Sequence, residues 1–202
     1  NLAFIAKKYD WNPGSLYNDN HDFTVYGPRY GREMLNSDGK VINFGDDPDS
    51  LPDMFFARPT KDTKSFSGQV FTKEAWKEWM SDVEDSNVKQ SLTDETKILI
   101  APLKEVQQEI RCWMVNGKCV TCSQYKIGKR VNMLNMDNNQ EAVIYSESMA
   151  KIYQPAKAFV MDICLYQDEY KIVEINCINC SGFYDGDMSK LIQSLEKTFG
   201  NG

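Results

Sequence analysis

Residues 159–177 read FVMDICLYQDEYKIVEINC. Two apolar runs flank the polar turn at 167–169, and this pattern predicts a β-hairpin. The register that buries one apolar face makes two pairs, Met161 opposite Ile175 and Ile163 opposite Val173. The same register sets Asp162 opposite Glu174, so the hairpin predicts two neighbouring carboxylates.

Two carboxylates opposite each other are costly in a sheet. The Cβ atoms of opposed residues lie roughly 5 Å apart, so the charges repel unless a cation or a proton lies between them. Asn176 adds an oxygen on the same face. Three oxygen donors suit a hard ion such as Mg²⁺, which is usually bound together with phosphates. A solvated polar face is the alternative, but polar residues interrupt the apolar strands only on this face. We therefore predict a magnesium site formed by Asp162, Glu174 and Asn176.

A basic loop forms a second candidate site. Residues 58–68 read RPTKDTKSFSG and connect strand candidates at 54–58 and 69–71. Arginine, two lysines, hydroxyls and a glycine at a hairpin tip can cover phosphates with backbone N–H groups and cations. The loop is not a Walker motif, and an exposed charged turn would have the same composition.

Asn116 and Gly117 form the strongest short hairpin signal in the chain. Counting back from this turn predicts four pairs: Val115 with Lys118, Met114 with Cys119, Arg111 with Cys122, and Glu109 with Gln124. Lys126 falls on the same side of the ribbon. Acidic, basic and polar groups are therefore expected to share one face.

Two Cys-x-x-Cys pairs, Cys119 with Cys122 and Cys177 with Cys180, imitate a four-cysteine zinc site. Residues three apart on a regular strand point to opposite faces, which disfavours the first pair. Six cysteines without a secretion signal suit a reducing compartment. We therefore expect free thiols rather than zinc or disulfides.

The bulk properties exclude several function classes. A net charge of -6 disfavours sequence-independent binding of nucleic acid, and no apolar run is long enough to cross a membrane. A single histidine, His21, excludes multi-histidine metal sites. The sequence begins without methionine or a secretion signal, so we expect a cytoplasmic protein that lacks an N-terminal segment.

The motifs described above, in this order, resemble the ATP-grasp superfamily over residues 51–202. Residues 56–59 (FARP) and 65–70 (SFSGQV) resemble its first-lobe strand and phosphate-covering loop. Residues 98–103 (ILIAPL) resemble the hinge whose backbone meets adenine. The Phe-x-Arg-Pro and Lys-x-Phe-x-Gly motifs are most similar to uncharacterised ATP-grasp proteins of phages and bacteria.

The later motifs extend this resemblance. Residues 109–111 before the Asn-Gly turn resemble the strand pair that enters the second lobe. Asp162, Glu174-Ile-Asn176 and Ser181-Gly182 resemble the magnesium-binding end. Two positions depart from the usual pattern, because Arg58 replaces a frequent lysine and Ala101 replaces a frequent glutamate.

The resemblance implies an α+β ATP-grasp fold of two α+β lobes with the nucleotide between them, preceded by part of an N-terminal α/β domain. The implied segments are 1–50 for that preceding part, 51–101 for the first lobe and 102–202 for the second. It also implies ATP and Mg²⁺ as cofactors. The implied catalytic residues are Arg58, Lys64 and Arg111. The implied nucleotide-binding residues are Arg58, Lys64, Ser67, Gly68, Ala101, Leu103, Glu109 and Lys126.

The implied reaction joins a carboxylate to an amine or a thiol. A substrate carboxylate attacks the γ-phosphate of ATP, and the nucleophile then captures the acyl phosphate. Small molecules and peptides are the expected substrates.

Two other functions stay open at this point. One is a module that binds nucleotide without turnover, which would use the same residues. The other is a nucleic-acid ligase or repair enzyme, but the sequence has no motif for a nucleotidylated lysine and no basic stripe.

Overall fold

The computed structural model of the chain describes residues 18–61, 65–85 and 92–200. The α-helices are α1 (Phe23–Tyr30), α2 (Lys73–Asp85), α3 (Gln140–Ile152) and α4 (Met188–Phe199). Single turns of 3-10 helix occupy Asp19–His21, Gly31–Glu33, Pro48–Ser50 and Ile178–Cys180. None of the helices in the described part of the chain is long and apolar enough to cross a membrane.

The chain divides into two units, each built on its own antiparallel sheet. The first unit comprises Asp22–Thr24 and Asn36–Lys104. The second comprises the described parts of Asn1–His21, Val25–Leu35 and Glu105–Gly202. The predicted division at residues 50 and 101 stays a prediction.

The first unit contains a four-stranded sheet of order β1-β4-β2-β3. Its strands are β1 (Lys40–Asn43), β2 (Met54–Pro59), β3 (Gln69–Thr72) and β4 (Lys97–Ala101). Helix α2 begins after β3, where the Thr72 hydroxyl accepts a hydrogen bond from the Ala75 N–H at 3.1 Å. Trp76 is fully buried and packs with Trp79 in the aromatic core. The helical spacing of these tryptophans therefore predicted their burial correctly.

The second unit contains a five-stranded sheet of order β7-β6-β5-β8-β9. Its strands are β5 (Gln108–Val115), β6 (Lys118–Ile127), β7 (Arg130–Asn135), β8 (Ala158–Tyr166) and β9 (Glu169–Asn176). Helices α3 and α4 pack against β5 and β6. Side chains alternate between the two faces of each regular strand, so Arg111 and Cys112 point to opposite faces.

The β8–β9 hairpin has the predicted register at its carboxylate pair but not beyond it. Met161 pairs with Ile175 and Asp162 pairs with Glu174, as predicted. The predicted pair of Ile163 with Val173 is wrong, because a bulge follows Asp162 and Ile163 pairs with Ile172 instead. Ile172 is fully buried, so it replaces Val173 on the apolar face.

The β5–β6 hairpin contains two bulges that change the predicted pairs. Val115 pairs with Lys118 and Met114 with Cys119, as predicted. The predicted partners of Arg111 and Glu109 are wrong. Arg111 pairs with Ser123, and Glu109 pairs with Lys126. The extra residues are Val120 and Tyr125, each of which moves the following part of β6 by one position.

Candidate functional site

Arg111 and Asp162 form a buried ion pair across β5 and β8. The two residues are direct partners in the sheet. Arg111 donates from Nε to Asp162 Oδ1 at 2.8 Å and from Nη2 to Oδ2 at 2.7 Å. The two side chains are only 8% and 1% exposed. Such a bidentate pair fixes both the position and the plane of the carboxylate.

Opposing influences set the charges of this pair. Burial alone lowers the pKa of Arg111, but the charge and hydrogen bonds of Asp162 outweigh it, so the pKa lies above its ordinary value. Burial raises the pKa of Asp162, Arg111 lowers it and Glu174 raises it, which leaves the pKa at about 6. Both groups are therefore charged at neutral pH.

Glu174 and Asn176 lie beside Asp162 on the same face of β9. The Asn176 side-chain amide donates to Glu174 Oε1 at 2.6 Å, and Asn176 is only 6% exposed. The positive charge expected next to the opposed carboxylates is thus supplied in part by Arg111. The residues still fit a magnesium ion, because every donor is an oxygen and a carboxylate oxygen accepts more than one partner.

Two tyrosines enclose the Arg111 guanidinium. Its Cζ atom lies 4.9 Å from the ring centroid of Tyr184 and 5.7 Å from that of Tyr125. The two rings stack with centroids 4.9 Å apart, and Arg111 Nη1 donates to the Gly182 carbonyl at 3.2 Å. Sequence reasoning missed both tyrosines. Tyr125 is the extra residue of a bulge, and no spacing in the sequence relates Tyr184 to Arg111.

Glu109 connects this cluster to a second basic group. Lys126 donates to Glu109 Oε1 at 2.6 Å, and the Tyr125 hydroxyl donates to Oε2 at 2.8 Å. Burial and the nearby carboxylates raise the pKa of Tyr125, so it stays a neutral donor. Glu109 and Lys126 therefore lie together, as the predicted polar face required.

The first unit contains the other predicted residues. Arg58 lies on β2 with its guanidinium 6.0 Å from the Phe23 ring centroid, and it is 8% exposed. Gly68 approaches it closely, because a Cβ atom added at Gly68 would lie 3.3 Å from the Arg58 Cβ. Ser67 is exposed, and Lys64 lies outside the described residues.

The predicted hinge residues lie at the end of β4 and just beyond it. Ala101 is buried and pairs with Phe56 on β2. Leu103 follows the strand and is 45% exposed. Its backbone is not part of any strand or helix, so its main-chain groups are not committed to a sheet ladder.

The comparison with protein families agrees with this arrangement. Residues 10–195 match a family described as an "ATP-grasp domain", the third family of its clade. The chain belongs to this ATP-grasp family. The predicted superfamily and the α+β ATP-grasp fold are therefore confirmed. No curated protein matches the chain.

Solved structures of other proteins share the ATP-grasp fold. The D-alanine–D-alanine ligase from Bacillus anthracis is 13% identical, with a TM-score of 0.58 over 88% of this chain and 66% of that chain. D-cycloserine synthetase DcsG is also 13% identical, with a TM-score of 0.53 over 88% of this chain and 73% of that chain. The ATP-grasp ligase PsnB, complexed with a minimal precursor, is 11% identical, with a TM-score of 0.52 over 88% and 60%. This ATP-grasp domain therefore spans about two thirds of the length of these proteins, and at such identities the likeness concerns the fold alone.

The predicted site residues of this ATP-grasp domain fall into two groups. In the second unit, the structure brings together Glu109, Arg111, Lys126, Asp162, Glu174 and Asn176. In the first unit, it brings Arg58 and Gly68 together. Each group is a compact set of polar residues on its own sheet.

Proposed function

We propose that this ATP-grasp domain is an ATP- and magnesium-dependent ligase that joins a carboxylate to an amine or a thiol. The observation that carries the proposal is the buried pair of Arg111 and Asp162 beside Glu174 and Asn176. Membership of an ATP-grasp family supports the nucleotide. The pair keeps a fixed positive group next to fixed oxygen donors, and such preorganised charge suits phosphoryl transfer.

Asp162, Glu174 and Asn176 are the residues that would hold Mg²⁺. When bound, the ion would neutralise phosphate charge and so assist transfer of the γ-phosphate. Arg111 orients Asp162 through two hydrogen bonds. It leaves the other lone pairs of the carboxylate oxygens for additional partners, because an ionised carboxylate has about four acceptor positions.

The other residues bind and orient the substrates in this proposal. Arg111 and Lys126 stabilise negative charge on the transferred phosphoryl group. Arg58, Lys64, Ser67 and Gly68 contact the phosphates, and the backbone at Ala101 and Leu103 contacts adenine. Glu109 keeps the Lys126 ammonium in place at 2.6 Å.

The proposed chemistry has two displacements. First, a substrate carboxylate oxygen attacks the γ-phosphorus, the bond to the β-phosphate oxygen breaks, and ADP leaves. Second, the amine or thiol attacks the acyl carbon, and inorganic phosphate leaves as the nucleophile loses its proton. Small-molecule or peptide substrates are proposed by analogy with the neighbours, one of which was crystallised with a precursor.

Calorimetric titration with a non-hydrolysable ATP analogue, with and without Mg²⁺, tests the binding step. We expect magnesium to strengthen binding by the native protein at least tenfold, a difference of about 1.4 kcal/mol. Asp162→Asn with Glu174→Gln should lose this magnesium effect. Glu169→Gln makes the same chemical change at an exposed position of the same strand and should keep it. Equal magnesium effects in all three proteins would refute the proposed metal site.

ADP release tests turnover and separates the ligase from a module that only binds nucleotide. Pools of amino acids and short peptides serve as carboxylates, with and without added amines or thiols. The ligase requires ADP formation that depends on a carboxylate and that stops in Asp162→Asn with Glu174→Gln. Magnesium-dependent binding with no ADP from any pool would instead support the binding module.

A further inference from the structure

Three cysteines form a cluster on the face of the second sheet opposite Arg111. The Sγ atoms of Cys112, Cys119 and Cys122 all lie within 4.8 Å of one another. Cys112 and Cys122 are fully buried, whereas Cys119 is partly exposed. All three are free thiols. The cluster is separate from the carboxylate site, because Cys112 points away from the face that carries Arg111.

A bulge in β6 brings these cysteines together. Cys112 pairs directly with Cys122, and Met114 pairs with Cys119. Val120 is the extra residue between them, so Cys119 and Cys122 point to the same face although they are three positions apart. The expectation that this Cys-x-x-Cys pair is split between two faces is therefore wrong. That expectation assumed a regular strand.

The surroundings hold the bulged segment in place. Hydrogen bonds link the Cys119 thiol to the thiols of Cys112 and Cys122. The Cys119 backbone N–H donates to Glu147 Oε1 on α3 at 3.3 Å, and the Cys122 N–H donates to Asp137 Oδ1 at 2.9 Å. Backbone contacts on both sides of Val120 thus fix the positions from which the sulfurs project.

We propose that Cys112, Cys119 and Cys122 together bind one thiophilic metal ion, Zn²⁺. Zinc–sulfur bonds of about 2.3 Å in a tetrahedral site separate the sulfurs by about 3.8 Å. The sulfurs therefore need to close by about 1 Å at most, which rotation of the side chains can provide. Water takes the fourth position, and the partly exposed Cys119 marks the entry path.

Donor chemistry separates this ion from magnesium. Three sulfurs without an oxygen donor select soft or borderline metals such as Zn²⁺, whereas the carboxylate site selects a hard ion. The bound Zn²⁺ would crosslink β5 and β6 at the bulge. It would thereby hold the strand on which Arg111, next to Cys112, projects to the other face.

Zinc stoichiometry measures the proposed site directly. The reduced full chain is incubated with Zn²⁺, exchanged into buffer with a mild chelator, and analysed by mass spectrometry for bound metal. We expect one zinc per native chain and one in Cys164→Ala, which removes a buried cysteine outside the cluster. Cys119→Ser should retain less than a tenth as much. Cobalt in place of zinc should give thiolate-to-metal charge-transfer absorption in the native protein and the control only.

Folding and ion identity are checked on the same proteins. Circular dichroism of metal-free Cys119→Ser should match that of the metal-free native protein, because Cys119 is only partly buried. Equal zinc in Cys119→Ser and the native protein would overturn the proposal. So would folded native protein that binds no zinc, whether it binds Cu⁺ instead or forms a disulfide on oxidation. None of these results depends on ATP, so they leave the proposed ligase activity untouched.

Discussion

Arg111 holds Asp162 through two parallel hydrogen bonds, from Nε to Oδ1 and from Nη2 to Oδ2, across neighbouring strands of one sheet. Both groups are almost entirely removed from solvent. Transfer of two charges from water is costly, and their mutual attraction offsets this cost only when the geometry is good. Loss of one partner therefore leaves the other as an unpaired buried charge.

Arg111→Met should lower the free energy of unfolding by about 3–5 kcal/mol, because it leaves the Asp162 carboxylate buried without its partner. Urea unfolding monitored by tryptophan fluorescence measures this change. Lys118→Met is the matched control, since it removes an exposed ion pair with Glu147 that contributes about 0–1 kcal/mol. Similar losses in the two variants would contradict the importance of burial.

Gly186→Ala should destabilise the second unit, because its Cβ would lie 2.6 Å from Cζ3 of the fully buried Trp113 ring. We expect a loss of about 1–3 kcal/mol from overpacking. Gly182→Ala is the control, since the nearest atom to its Cβ is 3.7 Å away and its effect should stay within about 0.5 kcal/mol. Thermal unfolding of both variants decides the matter, and a tolerant Gly186→Ala would show that the Trp113 ring can move.

Gly68→Ala should weaken nucleotide binding more than it affects stability. The added Cβ would lie 2.9 Å from Cζ of Phe56 and 3.3 Å from Cβ of Arg58, and the Phe56 ring is only partly buried, so it can shift. We expect about a tenfold loss of affinity for an ATP analogue, equivalent to about 1.4 kcal/mol. Calorimetry and thermal unfolding are compared with the exposed variant Gln69→Ala. Unchanged affinity would remove Gly68 from the proposed phosphate site.

Tyr30 should make the protein sensitive to alkaline pH. Burial raises its pKa well above the ordinary value of 10.0, with further contributions from Tyr153 and Tyr26, and its hydroxyl donates to the Tyr153 carbonyl at 2.8 Å. Because the folded pKa exceeds the unfolded one, this stabilisation is fully present below the unfolded pKa and is lost as the pH rises above it. Urea unfolding from about pH 9 to about pH 11 should show a steeper loss of stability in the native protein than in Tyr30→Phe. Tyr166→Phe should retain the native slope, and parallel slopes in all three proteins would rule out this contribution.

The hairpin at residues 159–177 was predictable because its two sides alternate strictly up to the carboxylate pair. The turn polarity and the apolar face fixed Met161 opposite Ile175 and Asp162 opposite Glu174. Beyond that point the prediction failed, because a bulge has no signature in the alternation until the buried partner is known. Here the buried partner is Ile172.

The candidate site was predicted residue by residue, but its contacts were not. Oxygen donors and basic groups could be named from their types and spacing. The partner of Arg111 could not, because β5 and β8 are separated by more than forty residues of sequence and pair only in the folded sheet. The tyrosines around Arg111 depend on the same packing.

The sequence by itself determined the ATP-grasp fold, the opposed carboxylates and the Asn-Gly hairpin, because alternation and turn residues act over a few neighbouring positions. Only the tertiary structure decided that Arg111 neutralises Asp162 and that Cys112, Cys119 and Cys122 meet on one face. The physical reason is the same for both. One extra residue in a strand reverses every later side chain, and strand pairing brings distant groups together in a way that local pattern does not encode.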